Sequence, residues 1–162
     1  MAEADDTAGN HESDREITIT RVYDAPAGFL FEAWSKPEHV MKWFGPKGWP
    51  LTLCEMDFRP GGSFRFAMTG ASGKQNTPFG GTYHTIEAGR RIVYDNGFET
   101  PGAERMLITV TFEEVAGRTT LTIHTLFSSA EMRELHAAAG FEQGFGSALD
   151  QLGEAVAAMG RL

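Results

Sequence analysis

Two periodicities follow one another in this sequence, and together they leave few folds open. From Leu51 to Phe127 apolar residues recur at every second position in short runs. Phe64, Phe66 and Met68 form one such run, Met106, Ile108, Val110 and Phe112 another, and Leu121, Ile123, Thr125 and Phe127 a third. Near the C-terminus the period lengthens. Phe145, Leu149, Leu152, Val156 and Met159 are spaced by four, three, four and three, which is one apolar stripe along a helix. A row of strands with one apolar face and a helix with one apolar stripe each need a partner. The simplest arrangement lays the helix across the inner face of the sheet.

The remaining elements fit around that pair. Glu16 to Tyr23 alternates and is rich in β-branched residues, which predicts a first strand. Asp24 or Ala25 is placed to cap a helix with Pro26 in its first turn, and Phe29 to Trp34 supplies the helical run. A second short helix is expected over Pro37 to Lys42, with Ser35 as its cap and Val40, Met41 and Trp43 on its apolar side. Strands are then predicted from Leu51 to Phe58, through Phe64 to Met68, from Phe79 to Glu87, from Arg90 to Phe98, and through the runs at Met106 and Leu121. Short Gly-containing turns separate them, so neighbouring strands should pair antiparallel. A final helix capped by Ser128 or Ser129 is expected to run to about Met159. Gly140, Gly144, Gly146 and Gly153 weaken it, by roughly 1 kcal/mol each relative to Ala. They leave room either for a ligand or for close packing. The fold class is α+β: a curved antiparallel sheet of about seven strands around a long C-terminal helix, with two short helices after the first strand.

Composition narrows the function classes. The chain has 162 residues, 41% hydrophobic and 22% charged, as expected of one globular domain with one core. Its formal net charge of −8 argues against nucleic acid or an anionic membrane as partner. Glu3, Asp5, Asp6, Glu12 and Asp14 against Arg15 place half of that charge in the first fifteen residues. Residues 1–15 are therefore expected to be a disordered acidic tail, and residues 16–162 a single domain. The single cysteine, Cys54, permits no intrachain disulfide and no cysteine-based zinc site, and no His pair has ligand spacing with a carboxylate, so neither metal nor cofactor is expected. The start of the chain lacks a basic and apolar signal segment, which predicts a cytoplasmic location.

The densest aromatic stretch is Trp43-Phe44-Gly45-Pro46-Lys47-Gly48-Trp49-Pro50. A turn made only to reverse the chain would be polar, whereas this one holds rigid apolar surface. Trp43, Phe44 and Trp49 are candidates for the mouth of an apolar cavity. Phe64, Phe66, Met68, Tyr83, Met106 and Ile108 are candidate wall positions on the sheet, facing Phe141, Phe145 and Leu149 of the last helix. Trp34 serves as a mouth residue or as a staple between helix and sheet. Asp57 and Arg59, two apart on a strand, would share a face and either pair together or orient a polar group. His124 should lie on the outer face, and the direction of His84 is open.

These residues also carry a family resemblance. Ala25-Pro26, Phe31-Glu32-Ala33-Trp34, Pro37-Glu38-His39, Trp43-Phe44-Gly45-Pro46, Asp57-Phe58-Arg59-Pro60-Gly61-Gly62 and Gly81-Thr82-Tyr83 occur in an order that resembles the activator of heat-shock-protein-90 ATPase homologue-like family. That family lies within the START-like, helix-grip superfamily of the birch-pollen-allergen proteins. Thr119 to Phe127 and the Gly-Phe-Gly before Leu149 fit as well, so the likeness runs from about residue 16 to 158. It implies a helix-grip fold with a cavity between sheet and C-terminal helix. The function expected is non-catalytic binding of a small apolar molecule, lipid-like or aromatic, by a monomer or homodimer. Two alternatives follow from the same likeness. One is an enzyme of cyclase or hydrolase type, which would need His84, Asp57 or Glu55 inside the pocket. The other is a module acting on a chaperone. The cochaperone that names the family has a further N-terminal domain where this sequence has only its acidic stretch.

Because residues 1–14 contain almost nothing that burial would stabilise, deleting them is expected to leave the melting temperature nearly unchanged. A drop of several degrees on deletion would show that the segment docks on the domain.

Overall fold

A computed structural model describes residues 14–160. The expected acidic tail falls almost wholly outside them. Seven strands form one antiparallel sheet: β1 (Glu16–Tyr23), β2 (Leu51–Met56), β3 (Ser63–Met68), β4 (Phe79–Glu87), β5 (Arg91–Phe98), β6 (Met106–Val115) and β7 (Arg118–Leu126). Their spatial order is β1-β7-β6-β5-β4-β3-β2, so the first strand closes against the last and all other neighbours are successive in the chain. Four helices complete the fold: α1 (Ala27–Ser35), α2 (Pro37–Trp43), α3 (Ala130–Ala138) and α4 (Phe141–Gly160). This is the helix-grip arrangement, an α+β fold.

Register places the apolar phase of each strand on one face. Ile19 pairs with Ile123, Ile123 with Val110, and Val110 with Ile92, and all four are buried. Against this face α4 sets Ala148, Leu149, Leu152 and Val156, while α1 adds Leu30 and Ala33. Tyr23 on β1 donates its hydroxyl to the Leu149 carbonyl at 2.8 Å. A Cβ at Gly153 would stand 3.3 Å from the Tyr23 ring, and one at Gly146 only 2.9 Å from the Arg21 guanidinium. Two of the helix glycines thus serve close packing against β1.

Several local expectations are corrected. Pro26 is itself the N-cap of α1, with no side-chain cap from Asp24 or Ala25. The Ala27 amide instead donates to Glu114 Oε1 on β6 at 2.9 Å, and Thr119 Oγ1 donates to the Ala25 carbonyl at 2.7 Å. A tertiary contact does what a local cap would do. Ser35 does not cap α2, because its hydroxyl turns back to the Glu32 carbonyl; Lys36 holds the cap position. Met41 points to solvent. Strand β2 ends at Met56, two residues early. Asp57 N–H donates to the Ser63 carbonyl and Arg59 N–H to the Asp57 carbonyl, which closes a tight turn. Asp57 and Arg59 are therefore turn neighbours, paired at 2.9 Å on the surface.

The expected single C-terminal helix is two. Ser129 caps α3 by accepting from Met132 N–H, as its residue type predicts. Gly140, at φ 92°, then ends α3, and its carbonyl accepts from Gly144 N–H to start α4 in a new direction. The apolar stripe belongs to α4 alone, and α3 has no buried residue.

Leu149 is 1% exposed between helix and sheet. Leu149→Ala should lower unfolding free energy by about 2–5 kcal/mol, measured by urea denaturation. A change under about 0.5 kcal/mol, in the range typical of surface substitutions, would contradict this packing.

Candidate functional site: an aromatic cavity under the C-terminal helix

The packing of α4 on the sheet is tight at 148–156 and opens towards residue 141. Phe141 and Phe145 are only partly buried there. Between them and the sheet lies a cavity in two compartments. The inner one is small, about 50 Å³, and is walled by Trp34, Trp43, Phe64, Phe66, Tyr83, Tyr94 and their neighbours. The outer one, about 320 Å³, extends to the mouth between Pro46, Met68, Phe98 and α3. Phe44, Phe79, Asn96, Phe141 and Phe145 belong to both, so the compartments adjoin.

Phe44 stands at the junction. Its ring centre is 5.3 Å from Phe66, 5.5 Å from Trp43, 6.1 Å from Phe79 and 6.4 Å from Phe145. The loop that carries it is held firmly. Gln151 on α4 donates to the carbonyls of Trp43 (3.0 Å) and Gly45 (2.7 Å), and Lys47 N–H donates to Ser147 Oγ at 2.9 Å. Gly45 sits at φ 96°, and a Cβ there would lie 2.3 Å from the Trp49 carbonyl oxygen. Only glycine fits that turn. Trp43 below it is fully buried and donates its indole N–H to the Ala33 carbonyl at 3.0 Å.

Of the twelve wall and mouth positions expected from the sequence, ten line the cavity. Trp43, Phe64, Phe66, Tyr83 and Ile108 face the inner compartment and Met68 and Met106 the outer, while Phe44, Phe141 and Phe145 face both. Trp49 and Leu149 do not line it. Trp49 lies outside, 40% exposed, with its ring across Gly70, where a Cβ would come within 2.7 Å of it. Leu149 belongs to the solid part of the helix–sheet contact. Trp34, open between two roles, lines the inner compartment and also packs on Trp43 at 4.7 Å.

Sequence reasoning missed Phe79, Tyr94, Asn96, Phe98, Glu104, Met132 and His136. For Asn96 a signal existed: Ile92, Tyr94 and Asn96 are in phase on β5, so a polar residue continues a buried apolar face. For Met132 and His136 the signal was absent, because their role depends on where α3 turns at Gly140.

The titratable groups divide cleanly. Burial raises the phenols of Tyr83 and Tyr94 far above the ordinary range, so both stay neutral in the wall. Burial also pushes the Cys54 thiol up to about 11, away from the reactive thiolate. Near the mouth, His136 lies against Phe127 (5.3 Å) and Phe141 (6.0 Å), and burial lowers its pKa. Glu104 shares that mouth and accepts from Ser128 Oγ at 2.5 Å. His84, Asp57 and Glu55 are elsewhere. His84 meets Asp95 at 2.7 Å on the outer face, where Arg105 also binds Asp95. Asp57 and Glu55 are exposed. His124 pairs with Glu16, away from the cavity. None of the three residues on which an enzyme reading would depend faces the cavity.

With this geometry in place, the chain's relatives can be compared. Its sequence matches the family described as activator of Hsp90 ATPase homolog 1-like protein over residues 24–157, and the chain belongs to that family. A comparison with functionally curated proteins finds no match. Among solved structures, a protein from Arthrobacter aurescens is similar with 27% identity and a TM-score of 0.82, covering 90% of this chain and 87% of its own. A Staphylococcus epidermidis protein shares 29% identity at a TM-score of 0.74, covering 90% and 91%. A Nitrosomonas europaea protein, 23% identical at a TM-score of 0.81 with 92% and 98% covered, shares the fold. Among the described residues no helix is long and apolar enough to cross a membrane.

The depressed pKa of His136 fixes a sign. The native state favours the neutral ring, so the unfolded chain binds more protons as pH falls below its ordinary value near 6.5. The His136 contribution to stability is complete above that value and is lost as pH falls through the lower native one. His136→Gln should therefore flatten the stability–pH slope below about pH 6.5, read by thermal melts. An NMR titration placing the native His136 pKa above 6.5 would reverse the sign.

Proposed function

We propose that the protein binds a small, largely apolar molecule in the cavity between α4 and the sheet. The observation that carries this reading is the outer compartment. It holds about 320 Å³ walled mainly by aromatic and Met side chains, at the end of a helix whose other end is solidly packed. Pockets of a few hundred Å³ with apolar walls and few polar groups are the usual form of a small-molecule site. Rings at the Phe44 junction offer edges and faces to a flat ligand. Met68, Met106 and Met132 add adaptable surface around the mouth. Belonging to the START-like superfamily supports the same reading, since that fold grips ligands between sheet and C-terminal helix.

Naphthalene is a suitable probe. Binding should quench or shift the emission of Trp34 and Trp43 and raise the melting temperature as probe concentration rises. Gly144 lines the outer compartment, and a Cβ there would meet only Pro46 Cγ at 3.5 Å, an ordinary contact. Gly144→Leu should fold normally and weaken naphthalene binding by about tenfold or more, because it fills the void. Unchanged binding in a folded Gly144→Leu protein would remove the cavity as the site.

A further inference from the structure

Most of the cavity wall is apolar, but two residues that line it each carry a buried polar atom without a partner. Three buried side-chain polar atoms lack a hydrogen-bond partner among the described residues: Trp34 Nε1, Asn96 Oδ1 and Thr125 Oγ1. Two of the three belong to residues lining the inner compartment, Trp34 from α1 and Asn96 from β5. Trp34 is 6% exposed, so its N–H is shielded from bulk water. The neighbouring Trp43 shows the contrast, since its N–H is bonded to Ala33. Leaving such groups unmatched is costly, and functional sites are where folds retain them.

The two compartments differ in size in a way that matches these atoms. About 50 Å³ around Trp34 and Asn96 admits a group the size of a hydroxyl or a water, and not a ring. The outer compartment, about 320 Å³ and lined by Phe44, Phe79 and Phe145, admits the ring. An indole N–H can only donate, whereas an Asn amide offers an oxygen or an N–H2. A hydroxyl answers both, because it accepts and donates.

We infer that the ligand is a hydroxylated aromatic molecule bound polar end first, its hydroxyl held by Trp34 and Asn96 in the inner compartment and its flat body among Phe44, Phe79 and Phe145. This rests on the binding function proposed above. It assigns Trp34 and Asn96 as the residues that decide specificity. The orientation is the reverse of a simple amphiphile, whose polar end would stay at the mouth beside Glu104 and His136. A hydrogen-bonding pair inside an apolar site discriminates strongly, since a ligand lacking the hydroxyl leaves both groups unmatched.

The test compares 2-naphthol with naphthalene by titration calorimetry, in the wild-type chain and in Asn96→Leu and Trp34→Phe. The affinity ratio of naphthol over naphthalene should fall by about tenfold in each variant, the effect of one lost hydrogen bond, while naphthalene still binds. In the wild-type chain, the ¹H–¹⁵N resonance of the Trp34 indole should move downfield with 2-naphthol and not with naphthalene. That measurement stands even if Trp34→Phe does not fold. An unchanged ratio in Asn96→Leu together with an unmoved Trp34 resonance overturns the assignment. Failure of both probes to bind the wild-type chain overturns instead the cavity reading beneath it.

Discussion

Everything distinctive about this fold depends on how α4 is held. Its C-terminal half is anchored by Leu149, Leu152 and Val156, buried in the same core as Ile123 and Val110, and by the Tyr23 hydroxyl on the Leu149 carbonyl. Burying those side chains is worth roughly 1.5–3 kcal/mol each, far more than the helix's own propensity with its several glycines. The anchor is at one end. Towards Phe141 the helix separates from the sheet, and the space left there is the cavity.

The same helix positions the roof of that space. Gln151 lies next to the anchoring residues and clamps the carbonyls of Trp43 and Gly45, so the aromatic loop is tied to the rigid half of α4. Trp43 in turn is buried under α1, and α1 begins on a hydrogen bond from its Ala27 amide to Glu114. A chain of contacts thus runs from the β6–β7 hairpin through α1 and α2 to the loop. Phe44 is held at the junction of the compartments by packing and not by its own turn. The mouth is different. Helix α3 has no buried residue, and Leu135 on it is 72% exposed. A rigid inner wall beside a lightly held outer one suits a site that must admit a molecule before enclosing it.

Chemistry in the cavity follows from what burial does to each group. Burial raises the phenols of Tyr83 and Tyr94 and lowers the pKa of His136, so each favours its neutral form. Asp95, Asp57 and Glu55 lie outside, and the carboxylate among the lining residues, Glu104, is at the mouth. The inner compartment is therefore lined without a charged residue. An ionised group placed in that compartment would lose its hydration with nothing there to offset the loss, whereas a neutral one would lose less. On the sheet, the exposed ion pairs of Arg65 with Glu99 and Arg105 with Asp95 lie on the outer face. There they add little to stability and keep the sheet's second face solvated.

The strands, their inward phase and the helical stripe were legible in the sequence because each is a local periodicity with a direct packing consequence. Glu16 to Tyr23 and Phe79 to Glu87 agree with the observed strands residue for residue. Most cavity residues were legible for the same reason, since inward phase on β3, β4 and β6 also means facing the cavity. Other features were set by contacts distant in sequence. The cap of α1 comes from Glu114, Trp49 is turned outward by the space over Gly70, and Leu149 lies in the solid half of a contact whose other half is open. The break at Gly140 needed the φ of one glycine, and nothing in the pattern of apolar residues distinguishes a glycine that ends a helix from one that only weakens it. The sequence by itself determined which faces are buried, because period and side-chain type are local. Only the tertiary structure decided where burial stops short, because a void is the difference between two packed surfaces and belongs to neither.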